Sequence, residues 1–141
     1  MNTRSIGALG EDAACQYLEE NGYHVVGRNV YAGGCEADIL AVDDEHFLFV
    51  EVKSRRAYPH APDKFGRPAN AVTPQKRTHM LTMARAYLHE HPEITDHRSP
   101  RLDVIEVYLS PIEPGVVLAV EHFPDAVREK ANYDRKQGYK R

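Results

Sequence analysis

The sequence predicts one α/β domain, a mixed β-sheet of about five strands flanked by helices, on the strength of three observations. Two segments carry apolar residues at helical spacing, five short runs are rich in Val, Ile, Leu, Phe and Tyr, and these alternate as helix, three strands, helix, two strands. That order makes the third and fourth strands parallel neighbours, joined by a right-handed crossover through the second helix. At 141 residues, 42% of them apolar, the chain can bury a core as a single unit. The domain is expected over residues 1–124. A basic, flexible tail over 125–141 follows, with too few apolar residues to pack by itself.

The first helix is predicted from Ser5, a suitable N-cap, through a stripe of Leu9, Ala13, Ala14, Tyr17 and Leu18, with Gly22 as its stop. "YHVVGRNVY" then reads as a strand with an irregularity at Gly27. After Gly33 and Gly34, "ADILAV" and "HFLFVEVKS" form a hairpin around the acidic turn Asp43-Asp44-Glu45. From Ser54 to Val72 the prolines and Gly66 leave no sustained period, which predicts a long loop of the kind that serves function. Thr73 and Pro74 have the chemistry of an N-cap and first helical residue, and they open a second helix through Met80, Met83, Ala84, Tyr87 and Leu88 to Pro92. "RLDVIEVYL" and "VVLAVEHF" complete the sheet. Tyr17 and Tyr87 lie on helix faces expected to be core rather than stacking platforms.

The formal charge of −3 excludes a generally basic, adhesive protein, so any nucleic-acid contact must come from local clustering. Such a cluster exists: Lys53, Arg55, Arg56, Lys64, Arg67, Lys76 and Arg77 fall within one stretch against the single acid Asp63. No run approaches the roughly 18 apolar residues of a membrane span, and the N-terminal stretch lacks a secretory apolar region. The expected location is cytoplasmic, with Cys15 and Cys35 reduced. Eight His and two Cys raise the question of zinc. However, no Cys-x-x-Cys occurs, and His89 and His91 do not share a helix face.

The hairpin carries the chemistry. Along "FLFVEVKSRR", Phe47, Phe49, Glu51 and Lys53 share one face. If the turn closes symmetrically on Asp44-Glu45, Asp38 falls opposite Glu51, and Glu36 opposite Lys53. Like charges directly across a ladder are unfavourable, and a divalent cation such as Mg²⁺ would relieve them. The competing reading is a diagonal Asp38–Lys53 ion pair with Glu51 in solvent. Glu11, on the predicted sheet-facing stripe of the first helix, is either a third acid at this place or a first-turn dipole partner. Lys76 projects from the core face near the start of the second helix. With Arg77 it is either a phosphate seat or a lysine snorkelling at the core's edge.

Asp38, twelve intervening residues, then Glu51-Val52-Lys53 resembles the D-x(n)-E-x-K core of the PD-(D/E)xK nuclease superfamily. The wider text, "GALGEDAACQYLEENGYHVVGRN", "EADIL", "FVEVKSRR", "FGRPANAVTPQK" and "RLDVI", resembles the YraN-like family of bacterial proteins over roughly Gly7 to Val107. Two positions depart from the family pattern: Cys35 stands where a glycine is usual and Asn70 where an acid is usual. "YPHAPDK" lengthens the preceding loop. The resemblance implies a restriction endonuclease-like fold similar to Holliday junction resolvases. It further implies a nuclease site in which Glu11, Asp38 and Glu51 hold Mg²⁺ or Mn²⁺, with Lys53 as the catalytic lysine, Gln75 and Lys76 beside it, and a homodimer as the assembly. Asp38 and Glu51 are expected as metal ligands with the Val52 carbonyl, and Lys53 as the group that orients water and neutralises the scissile phosphate. Arg55, Arg56, Arg67, Lys76 and Arg77 would hold the backbone of nucleic acid, most readily DNA, without reading its sequence. The rival expectation is a non-catalytic nucleic-acid-binding protein on the same fold.

Overall fold

A computed structural model describes residues 3–60 and 72–129. It contains α1 (Thr3–Glu20), β1 (His24–Ala32), β2 (Cys35–Val42), β3 (His46–Arg56), α2 (Pro74–Glu90), a 3₁₀ turn (Pro92–Asp96), β4 (Ser99–Leu109) and β5 (Val117–Val127). The five strands form one open mixed sheet in the order β1-β2-β3-β4-β5. Only β3 and β4 are parallel, as the crossover through α2 requires. Among the described residues, α1 packs on one face of the sheet and α2 on the other.

The alternation of β3 divides the core between those faces. Phe47 and Phe49 lie under α2 with Leu40, Leu102, Val104, Met80 and Met83. Leu48 and Val50 lie under α1 with Ile39, Ile105, Val107, Ala14 and Leu18. Tyr87 belongs to this packing, its ring against Phe47 and Phe49. Among the described residues no helix is long and apolar enough to cross a membrane.

Turn chemistry sets most of the boundaries. Gly22 takes a φ of +89° and Tyr23 N–H reaches back to the Leu18 carbonyl at 2.9 Å, closing α1 as a Schellman-type cap. Gly33 and Gly34 both have positive φ, as a two-residue turn between twisted strands needs. The irregularity expected at Gly27 is a bulge in the β1–β2 ladder between Val25 and Gly27. Thr73 Oγ1 accepts the Lys76 amide at 3.1 Å, with Pro74 in the first helical turn.

Three expected boundaries change. Ser5 is inside α1 rather than its cap, since the helix already begins at Thr3. β3 persists through Ser54 and Arg55 to Arg56, because β4 pairs with it along its whole length and supplies the order that its loop-like composition does not suggest. β5 continues to Val127, where it pairs with Leu102, so the first residues after 124 belong to the sheet. Residues 61–71 of the long loop, including Arg67 and Asn70, and the tail from 130 lie outside the described residues.

Gly10 fixes how closely α1 sits on the sheet. A Cβ there would come within 1.7 Å of Ser54 Oγ and 2.9 Å of Ser54 Cβ, so the helix backbone rests directly on β3. Gly10→Ala is expected to force α1 outward and destabilise the fold by about 1–3 kcal/mol, read as a lower urea midpoint at unchanged m-value. A shift toward higher stability, the ordinary effect of alanine in a helix, would disprove this contact.

Candidate active site

The sheet opens at its centre. β2 pairs with β3 from Val42↔Phe47 to Ile39↔Val50, the register expected from the turn, and the ladder stops there. Beyond that point β2 stays with β1 down to Ala32↔Cys35, while β3 stays with β4 to Arg56↔Leu109. The two strands therefore part at Asp38 and Glu51. Asp38 occupies the fork. Its Oδ2 accepts the Val52 amide at 2.7 Å, in place of the next backbone bond. Because the amide and carbonyl of one strand residue point to the same side, the Val52 carbonyl is turned toward this opening as well.

The parting overturns one expected pair. Glu36 does not oppose Lys53: Glu36 pairs with Tyr31 across β1, and Lys53 lies in register with Glu106 of β4, its ammonium 3.9 Å from Glu106 Oε1. The diagonal Asp38–Lys53 pair with Glu51 in solvent is not what forms either. Glu51 is 15% exposed and takes the Lys76 ammonium at 2.7 Å.

Between the strands and the first turns of α2 lies a cleft of about 370 Å³. Asp38, Glu51 and Lys76 line it, together with Glu36, Cys35, Tyr31, His79 and Met80. Burial, then the repulsion of Glu51, pushes the Asp38 carboxyl up to about 7, against the lowering effect of the Val52 amide; Glu11 and Glu36 add to the rise. The Glu51 hydrogen bond holds the Lys76 ammonium above its ordinary value, helped by Asp38 and Glu36. Among the described residues, acids from β2 and β3 thus line the cleft with one lysine from α2, which meets Glu51 directly.

Other expected residues lie at or beyond the margin. Glu11 is near enough to act on Asp38, but its Oε1 is held by Arg28 at 3.4 Å and Asn29 at 3.3 Å. Gln75 is exposed on the first turn of α2. Arg77 turns away, donating to the Arg128 carbonyl. Arg56 is exposed and reaches the Pro111 carbonyl at 3.4 Å, while half-buried Arg55 lies in register with Tyr108. Among the described residues no three His, Cys, Asp or Glu side chains converge as a ready cation cage.

Two groups of residues escaped the sequence reading. His79 lines the cleft because it stands one turn after Lys76, a spacing the helix would have revealed. Glu106, fully buried, accepts the Tyr108 hydroxyl and faces Lys53, a pairing that depends on the β3–β4 register and has no local signal.

Residues 10–107 match the model of a family described as "Uncharacterised protein family UPF0102". The span runs from the glycine that seats α1 through β3, α2 and most of β4, and so contains every residue of the cleft. A UPF0102 protein of Prosthecochloris aestuarii is 40% identical over 125 residues, covering 86% of this chain and 91% of the relative. One from Dehalococcoides mccartyi is 33% identical over 117 residues, covering 83% and 91%. One from Clostridium perfringens is 38% identical over 104 residues, covering 74% and 80%.

Proposed function

The chain belongs to the UPF0102 family, and on that premise we propose that the fork between β2 and β3 is the site of a divalent-metal-dependent endonuclease acting on DNA. One observation carries the reading: Asp38 and Glu51 line one open cleft, although burial and then their mutual repulsion push the Asp38 carboxyl up to about 7. Such a pair is unfavourable for folding and needs a cationic partner. The resemblance to the PD-(D/E)xK superfamily supports the same assignment through Asp38, Glu51 and Lys53 in their order along the chain.

The residues fit a Mg²⁺ or Mn²⁺ ion of the kind that takes one or two carboxylates and keeps several waters. Asp38, Glu51 and the Val52 carbonyl would hold it. Glu11, already engaged by Arg28 and Asn29, shapes the field from α1 and stands as an outer acid. When bound, such an ion supplies an activated water and draws charge from the phosphoryl oxygens. Lys53, two residues beyond Glu51 on the same strand face, orients that water and neutralises the scissile phosphate. Gln75 and Lys76 at the start of α2, with Arg55, Arg56 and Arg67, hold the nucleic-acid backbone, so selection is by shape rather than by base. Branched or junction DNA is the substrate class this favours.

The Lys76–Glu51 contact favours a second reading, in which the fork is closed by an ion pair and the protein binds nucleic acid without cutting it. The test is cleavage of labelled branched, nicked, single-stranded and duplex DNA, with matching RNA, in Mg²⁺, Mn²⁺ or EDTA. Metal-dependent cutting that falls at least about a thousandfold in Asp38→Ala and Lys53→Ala, with folding and binding retained, is the expected result. Tight binding with no cutting of any form establishes the second reading instead.

A further inference from the structure

We propose that Lys76 is the resident cation of the fork, and that its ammonium and a divalent ion compete for the Glu51 carboxylate, so that loading the ion releases Lys76 to a substrate phosphate. This rests on the reading of Asp38 and Glu51 as the ion-binding pair. The Lys76 ammonium is 2.7 Å from Glu51 Oε1, a direct charge-assisted hydrogen bond. An inner-sphere Mg²⁺ needs a carboxylate oxygen at about 2.0–2.1 Å, and two cations on one carboxylate repel each other strongly in a half-buried cleft.

The anatomy suits an exchange. Glu51 is 15% exposed and fixed on a central strand, whereas the Lys76 side chain is 50% exposed and can leave without disturbing the core. Its backbone stays in place, because the Lys76 amide is capped by Thr73 Oγ1. Glu36 and Asp38 line the same cleft, so among its described lining residues the carboxyl groups outnumber the lysine. Once expelled from Glu51, the ammonium stays on the first turn of α2, within reach of a phosphodiester oxygen that enters the cleft. Ion binding and backbone binding then favour each other by equal factors.

The experiment compares the native chain with Lys76→Gln and with Arg77→Gln. Arg77→Gln removes one positive charge from the same helical turn without touching Glu51. Mn²⁺ affinity, measured by calorimetry and by the loss of the free-ion paramagnetic signal, is expected to rise about tenfold in Lys76→Gln and to change less than about twofold in Arg77→Gln. In the native chain, Ca²⁺ should tighten binding of a branched DNA, and this gain should be largely lost in Lys76→Gln. Unchanged or weaker Mn²⁺ affinity in Lys76→Gln, or an equal rise in Arg77→Gln, overturns the exchange, even for a chain that cuts DNA. A Lys76→Gln chain that gains Mn²⁺ affinity while no variant cuts anything upholds the exchange and removes the nuclease reading. If neither chain binds Mn²⁺, both fail.

Discussion

Asp103→Ala is expected to destabilise the protein by roughly 3–5 kcal/mol, through loss of one buried ionic junction. Asp103 is fully buried on β4. It accepts hydrogen bonds from Arg101 Nε at 2.9 Å and Nη2 at 2.8 Å, and from the Asp125 amide at 2.9 Å. His122 Nε2 lies 2.7 Å from Asp103 Oδ2, the oxygen that Arg101 Nη2 also reaches. Since an ionised carboxylate can only accept, Nε2 donates, and in a neutral ring Nδ1 is left to accept the Tyr17 hydroxyl at 3.1 Å. Arg101 also donates to the Tyr23 hydroxyl at 3.0 Å. The junction therefore ties α1 and the turn before β1 to β4 and β5.

Removing the carboxylate leaves the nearly buried Arg101 charge without its counter-ion, and that drives the loss. Burial alone would raise the Asp103 carboxyl, but the His122 and Arg101 hydrogen bonds hold it below the usual carboxylate range. A depressed folded pKa adds stability that is complete above the unfolded value near 4 and is lost as pH falls through the folded value. The deficit of Asp103→Ala should then be full at neutral pH and shrink in strong acid. Urea unfolding followed by far-ultraviolet circular dichroism at several pH values tests this. A neutral-pH loss below about 1 kcal/mol would mean that the junction is dispensable.

Asp38→Asn should act in the opposite direction, stabilising the metal-free protein by about 1–3 kcal/mol at neutral to alkaline pH. The asparagine oxygen can still accept the Val52 amide, while the cost of burying a charge, and after it the repulsion from Glu51, disappears. The folded Asp38 value of about 7 lies above the unfolded one, so the native chain loses stability as pH rises from about 4 to about 7. The gain from Asp38→Asn should accordingly be greatest near pH 8 and fade toward pH 4. Denaturation in EDTA across that range measures it, and added Mg²⁺ should narrow the gap by stabilising the native chain alone. A variant no more stable than the native protein near pH 8 would show that the fork is not strained, removing the physical reason for a cation there.

Much of the scaffold could be read locally. Thr73 and Pro74 marked the start of α2, Gly27 marked the bulge, and the turn at Asp44-Glu45 set the β2–β3 register that brings Asp38 to Glu51. The parallel pairing of β3 with β4 followed from element order and chain handedness. These features depend on backbone dihedrals, side-chain period and turn geometry, which act over a few residues.

The partners of long charged side chains were settled by tertiary packing. The β2–β3 ladder stops at Ile39, Lys76 rather than Lys53 meets Glu51, and Arg77 lies along the end of β5 instead of the cleft. The Asp103 junction gathers groups from three elements and from the turn before β1. A lysine or arginine spans several ångströms and can choose among many carboxylates, so its choice depends on which strands and helices converge within that reach. Periodicity along one segment can say which face a charge leaves from; only the assembled layers decide which charge it meets.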